Sequence, residues 1–136
     1  MLDATVAYAQ VREQFGRPIG SFQAVKHQCA DRAVQLAIGC ELVDAEGEAL
    51  VAAGAGEDHG AAADAGVDAA MAAAYLGDAV VAIAGTALQL HGGIGSTWES
   101  GVPVDLKRAT LDRSLFGSPA AHRRRLAGRC GTVPAA

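Results

Sequence analysis

The chain has 136 residues, 51% of them hydrophobic but only 4% aromatic, with a formal net charge of -4. That length fits one ordinary domain, and apolar content carried by Ala, Val and Leu suits closely packed helices better than aromatic-rich sheets, so an all-α fold is expected. The charge balance argues against a general attraction to nucleic acid or anionic lipid, while Cys29, Cys40 and Cys130, with no C-x-x-C pair, suggest neither a disulfide framework nor a zinc knuckle.

The opening LDATVAYAQVREQF reads as the end of a helix over 2–14, without an N-cap of its own and stopped by Gly16 and Pro18. No basic segment followed by an apolar stretch marks a leader, and a soluble, cytoplasmic chain is expected. Ser21 then offers an N-cap for a second helix reaching about Ala53, about 48 Å long at 1.5 Å per residue. Along it Phe22, Val25, Cys29, Ala33, Leu36, Cys40, Val43, Gly47 and Leu50 recur in steps of three and four, as in the seam of a bundle.

GAGEDHG, residues 54–60, reads as a turn into a third helix over 58–91. Leu76, Val80, Ile83, Ala87 and Leu90 form one apolar stripe on it, and Val67, Met71, Ala74, Val81 and Leu88 a second, which predicts burial on two sides. Asp68 and Asp78 interrupt this apolar run, so no membrane span is expected. A fourth helix is predicted from near Pro103 to Leu115, then a break at 117–119 and a short fifth segment over 120–127. The expected architecture is an up-down-up-down four-helix bundle over 1–128, with a flexible tail over 129–136. Arg123 to Arg125 read as a solvated basic face.

Two stretches stand out chemically. ALQLHGGIGSTWES, residues 87–100, places Gly92, Gly93 and Gly95 where a helix ends. A C-cap is the plain reading, and a dinucleotide fingerprint is disfavoured because the glycines follow a helix and lack a G-K-[ST] ending. The third reading is a wall where missing Cβ atoms let a ligand phosphate or sugar approach peptide N–H groups. In YAQVREQFGRPIGSFQAVKH, residues 8–27, Arg12 and Phe15 lie three apart on one helical face before a glycine turn. A guanidinium fork and a flat ring suit a nucleotide, with a surface ion pair and core packing as the ordinary alternatives.

The pattern R-x-x-F-G-R-P-I-x-x-F-Q-x-x-K-H-x-x-A-D from Arg12 to Asp31, followed by Q-L-H-G-G-I-G-x-T-W-E from Gln89 to Glu99, resembles the C-terminal helical domain of the acyl-CoA dehydrogenase family. The resemblance covers about residues 1–128. It implies FAD shared with a neighbouring subunit, its ADP portion met by Arg12, Gln14 and Phe15 from one motif and by Gln89, Gly92 and Gly93 from the other. Members of the family remove the α-proton of an acyl-CoA thioester with a glutamate while a hydride leaves Cβ for the flavin.

Two departures shape the functional expectation. Family members run to about three times this length, with an N-terminal helical domain and a β-domain that the sequence does not show. Aligned from the double glycine, the base position of many members falls on Phe116, followed by Gly117 and Ser118, so no catalytic residue is assigned. Glu99 is the only nearby carboxylate in a shared motif, either as a base or, more ordinarily, as a group fixing the turn by hydrogen bonding. The expected role is the ADP side of an FAD site in an α,β-dehydrogenation of acyl-CoA thioesters, inactive alone. Its partner would be a second copy or a fuller acyl-CoA dehydrogenase chain, as in heteromeric enzymes for steroid-derived esters. The alternative is a non-catalytic helical scaffold derived from a truncated or split dehydrogenase. His27, His59, His91 and His122 lie on different elements, and no metal is expected. His91, beside the glycines, reads either as a phosphate donor or as part of the helix end.

Overall fold

The computed structural model describes residues 1–54, 59–115, 117–129 and 131. Among these are five α-helices: α1 Leu2–Val11, α2 Gln23–Gly54, α3 His59–His91, α4 Val102–Leu115 and α5 Pro119–Arg129. The expected all-α, up-and-down bundle is present, with α3 as the element on which the other helices pack. Ala70, Ala72, Ala74, Ala79, Ile83, Ala84 and Ala87 are buried along it. Their small side chains let neighbours approach closely, whereas Val80 and Met71, one from each expected stripe, stay 36% and 38% exposed.

By length and composition alone, 66–91 of α3 is apolar enough to cross a membrane. Within the fold it carries Asp78, which accepts from Arg113 of α4 at 2.8 Å and from Arg123 of α5 at 3.0 Å. Arg123 also donates to the Ala74 carbonyl at 3.3 Å. Arg123 therefore departs from the basic-face reading: its guanidinium ties α5 to α3.

The α2 seam is rotated from its expected register. Cys29, Arg32, Gln35, Leu42 and Ala49 are half-buried around a buried Gly39, whereas Leu36, Val43 and Leu50 stay 42%, 45% and 55% exposed. Gly39 explains the choice, because a Cβ there would lie 2.5 Å from Leu76 Cδ2 of α3. Arg32 reinforces it by donating to the Thr86 hydroxyl at 2.9 Å and to the Gln35 side-chain oxygen at 2.6 Å. Steps of three and four occur in both adjacent stripes, so closeness of approach and polar pairing decide between them.

The first helix ends three residues before its expected limit. Arg12 is extended, with φ -74° and ψ 120°. β1 Glu13–Gln14 then pairs antiparallel with β2 Arg17–Pro18, Gln14 opposite Arg17. Phe15 and Gly16 form the tip with φ 57° and 75°, both in the left-handed region that a tight type I′ hairpin uses. Arg12 and Phe15 therefore do not share a helical face. Gly16 admits the reversal and Pro18 holds the chain out of helix, which together make a hairpin cheaper than another helical turn.

The second helix also begins differently from the expectation. Ile19–Ser21 form a 3-10 turn, and the extended Phe22 accepts from the N–H groups of Val25 and Lys26, each at 3.1 Å. Ser21 is thus inside the preceding turn, its hydroxyl buried and without a hydrogen-bond partner, rather than at the cap. At the other end, α5 takes in Arg129, the first residue of the expected tail. The rest of that tail, apart from Gly131, and residues 55–58 of the expected turn lie outside the described residues.

Candidate functional site

The two motifs meet in space. The end of α1, the hairpin and the end of α3 enclose a cleft of about 460 Å³, lined by Tyr8, Arg12, Gln14, Ile19, Leu90, His91, Gly92, Gly93 and Ile94. Its volume falls within the range usual for small-molecule sites. Arg12, Gln14, Gly92 and Gly93 are thus brought together as expected. Phe15 does not line the cleft and projects from the hairpin tip, 92% exposed, with its ring edge-on to Phe22 at 6.1 Å. Gln89 is exposed on the last turn of α3, and its backbone carbonyl accepts from the Gly92 N–H at 3.2 Å.

The glycines have separate physical reasons. Gly92, at φ 60°, ends α3 as a left-handed cap, which satisfies the plain reading of the cluster. Gly95 is buried, and a Cβ there would fall 2.7 Å from His91 Cβ and 2.8 Å from the Leu88 carbonyl oxygen. Gly93 has an ordinary helical φ of -57° and nothing within 4 Å of where a Cβ would be. Among the described residues nothing demands glycine at Gly93, yet it lines the cleft.

Arg12 adds a complementary feature: its guanidinium makes no ion pair among the described residues. A free cation beside a bare backbone wall is suited to an anionic ligand with bulky attached groups. Gln14 donates to the Glu13 carbonyl at 2.8 Å, which holds its amide on the hairpin. These residues fit the ADP portion of a flavin nucleotide, the cation for its pyrophosphate and the open backbone for close approach.

Sequence reading did not single out Tyr8. Its ring stacks on His91 with centroids 4.4 Å apart and planes at 20°, joining α1 to the end of α3. The available signal was its position four residues before Arg12, whose backbone N–H donates to the Tyr8 carbonyl at 2.8 Å as the helix ends.

Beyond the cleft, Ile94–Ser96 and Trp98–Ser100 form two 3-10 turns. The hydroxyls of Ser96 and Thr97 donate to the carbonyls of Gly93 and Ile94 at 2.8 and 2.9 Å, which stiffens the wall. Glu99 is fully exposed, and chiefly a hydrogen bond from its own backbone N–H holds its carboxyl below the usual carboxylate range. A general base for chemistry near neutrality needs the opposite shift, so this environment favours turn-fixing for Glu99. Trp98 is 70% exposed, with the Lys107 ammonium 5.3 Å from its ring centroid. Phe116, at the expected base position, lies outside the described residues. Among the described residues no three His, Cys, Asp or Glu side chains converge as a metal site.

Residues 1–131 match the family model described as acyl-CoA dehydrogenase, C-terminal domain. The chain belongs to the acyl-CoA dehydrogenase family. Among its relatives, acyl-CoA dehydrogenase IpdE2 of Mycolicibacterium smegmatis is 40% identical over 125 residues, covering 92% of this chain and 36% of the relative. Among solved structures, the ChsE4-ChsE5 complex from Mycobacterium tuberculosis aligns with a TM-score of 0.83 at 29% identity, over 98% of this chain and 34% of that one. The structure of PigA with FAD and proline aligns with a TM-score of 0.81 at 26% identity, over 96% of this chain and 32% of that one. This acyl-CoA dehydrogenase domain thus spans about a third of the length of the relatives it matches.

Proposed function

We propose that this acyl-CoA dehydrogenase domain supplies the ADP side of an FAD site completed by a neighbouring subunit, in an enzyme that dehydrogenates acyl-CoA thioesters at the α,β position. The observation that carries the proposal is the cleft lined together by Arg12, which makes no ion pair among the described residues, and the bare backbone of Gly93. Arg12 binds the pyrophosphate through its planar fork, and Gln14 orients the adjoining sugar or base through its amide. Gly93 excludes side-chain bulk so that the nucleotide lies against the wall. Phe15, outside the cleft and almost fully exposed, reaches toward a cofactor seated on the neighbouring subunit, and Gln89 does the same from α3. The flavin, when bound, supplies the hydride acceptor for the reaction.

The residue at the expected base position favours a heteromeric arrangement. Phe116 cannot take a proton, so the α-proton would pass to a carboxylate elsewhere in the assembled enzyme. The similarity to a chain of the ChsE4-ChsE5 complex supports that reading. A steroid-derived acyl-CoA is then the substrate class to try first.

The test is to mix the purified chain with fuller acyl-CoA dehydrogenase chains of its own organism and follow size and flavin absorbance together. A coloured complex containing both chains is the expected result. Failure of every mixture, including the chain alone, to associate or hold flavin would leave the scaffold reading in its place.

A further inference from the structure

We propose that His91 is a hydrogen-bond acceptor for the nucleotide, reading a hydroxyl or exocyclic amine of the ADP portion and not its phosphates. This rests on the flavin-ADP reading of the cleft. His91 Nδ1 lies 2.8 Å from the Ala87 carbonyl oxygen. That oxygen has no proton to give, so Nδ1 carries the hydrogen, and in the neutral ring Nε2 holds the lone pair. The two nitrogens diverge around the five-membered ring. With Nδ1 turned to its own helix backbone, Nε2 faces away from it.

Tyr8 fixes the plane of the ring and the Ala87 carbonyl selects which edge meets the helix. The Tyr8 face covers His91 at 4.4 Å, and turning the imidazole over would put a carbon against the Ala87 carbonyl in place of a donor. The clamped ring forms part of the cleft wall together with Arg12 and Gly93. Arg12 has only donors to offer, which match phosphate oxygens. A lone pair at Nε2 would repel those same oxygens and needs a donor group, which ADP provides on its ribose and its adenine. The cleft thus pairs a phosphate-directed cation with an acceptor directed at the rest of the nucleotide.

The experiment uses the full chain with ¹⁵N-labelled histidine and arginine, at a pH where the imidazole is neutral. Two-bond proton–nitrogen correlation is expected to show the Nδ1–H tautomer for His91. Added ADP should shift both His91 Nε2 and the Arg12 side-chain resonance, whereas inorganic pyrophosphate should shift Arg12 alone. An Nε2–H tautomer, or equal responses of Nε2 to ADP and pyrophosphate, would overturn the inference while leaving the site. Silence of Arg12 toward both probes would overturn the site and this inference with it. His91→Phe retains a ring for Tyr8 but removes the acceptor. It should weaken ADP binding about three- to tenfold, as expected for one hydrogen bond, with pyrophosphate binding unchanged. Equal loss for both probes, or no loss for either, would contradict it.

Discussion

Gly95 lies so close to Leu88 that a Cβ on the glycine would meet the Leu88 carbonyl oxygen at 2.8 Å. Backbone cannot rotate away as a side chain can, so Gly95→Ala should destabilise the fold by about 1–3 kcal/mol. Gly93→Ala should behave in the opposite way. Its helical φ and open surroundings accept a methyl group, and restricting the unfolded chain adds up to about 1 kcal/mol of stability. The same methyl would stand in the cleft and weaken ADP binding. Thermal unfolding and nucleotide titration of the two variants separate these effects, and matching behaviour would show that Gly93 serves the fold only.

Phe15 occupies φ 57° while the residue is 92% exposed. The conformation costs about 1–2 kcal/mol for an ordinary residue, and an exposed ring recovers little of that by burial within the chain. Asn is at home at this hairpin position. Phe15→Asn should therefore raise stability by about 1 kcal/mol in unfolding measurements and lower flavin retention by an assembled complex. A variant that loses stability would indicate that the Phe15–Phe22 contact outweighs the strain.

Asp78 links α3 to α4 and α5 through Arg113 and Arg123, and the hydrogen bond from Arg123 is the largest cause of its lowered pKa. Its folded-state pKa lies below the unfolded value. The stabilisation is thus complete above the unfolded pKa, about 3.9 for an aspartate, and is lost as pH falls through the folded one. The groups are well exposed, so solvent screening limits the effect of Asp78→Asn to about 1 kcal/mol or less. Unfolding at neutral pH and again near the acid limit should show the difference between wild type and variant shrinking in acid. A difference independent of pH would mean that packing, and not charge, holds α5.

Most of the fold was legible because α3 is patterned on two sides and Gly-rich punctuation separates the helices. The register of α2 was not, since steps of three and four occur in both adjacent stripes and the buried one carries Arg32 and Gln35; the approach of Leu76 to Gly39 and the Arg32–Thr86 hydrogen bond select it. Nor was the hairpin: the helical periodicity of 2–11 continues through Arg12, and only the pairing of Gln14 with Arg17 shows that the chain has already reversed. For the site, the motifs named Arg12, Gln14, Gly92 and Gly93, which the cleft unites across a long stretch of sequence. Tyr8 escaped notice because its partner, His91, lies at the far end of α3 in sequence, and no local pattern marks a stack between helices.

If the cleft between the hairpin and the end of α3 holds the ADP portion of a flavin through Arg12, nucleotide affinity depends on that side chain. Calorimetric titration of the full chain and its Arg12→Ala variant with ADP measures that dependence. Loss of one charge-assisted contact is worth about 1.5–3 kcal/mol, so the variant should bind roughly 10- to 150-fold more weakly while unfolding at the same temperature. Equal affinity of the two proteins for ADP would mean that Arg12 does not hold the nucleotide.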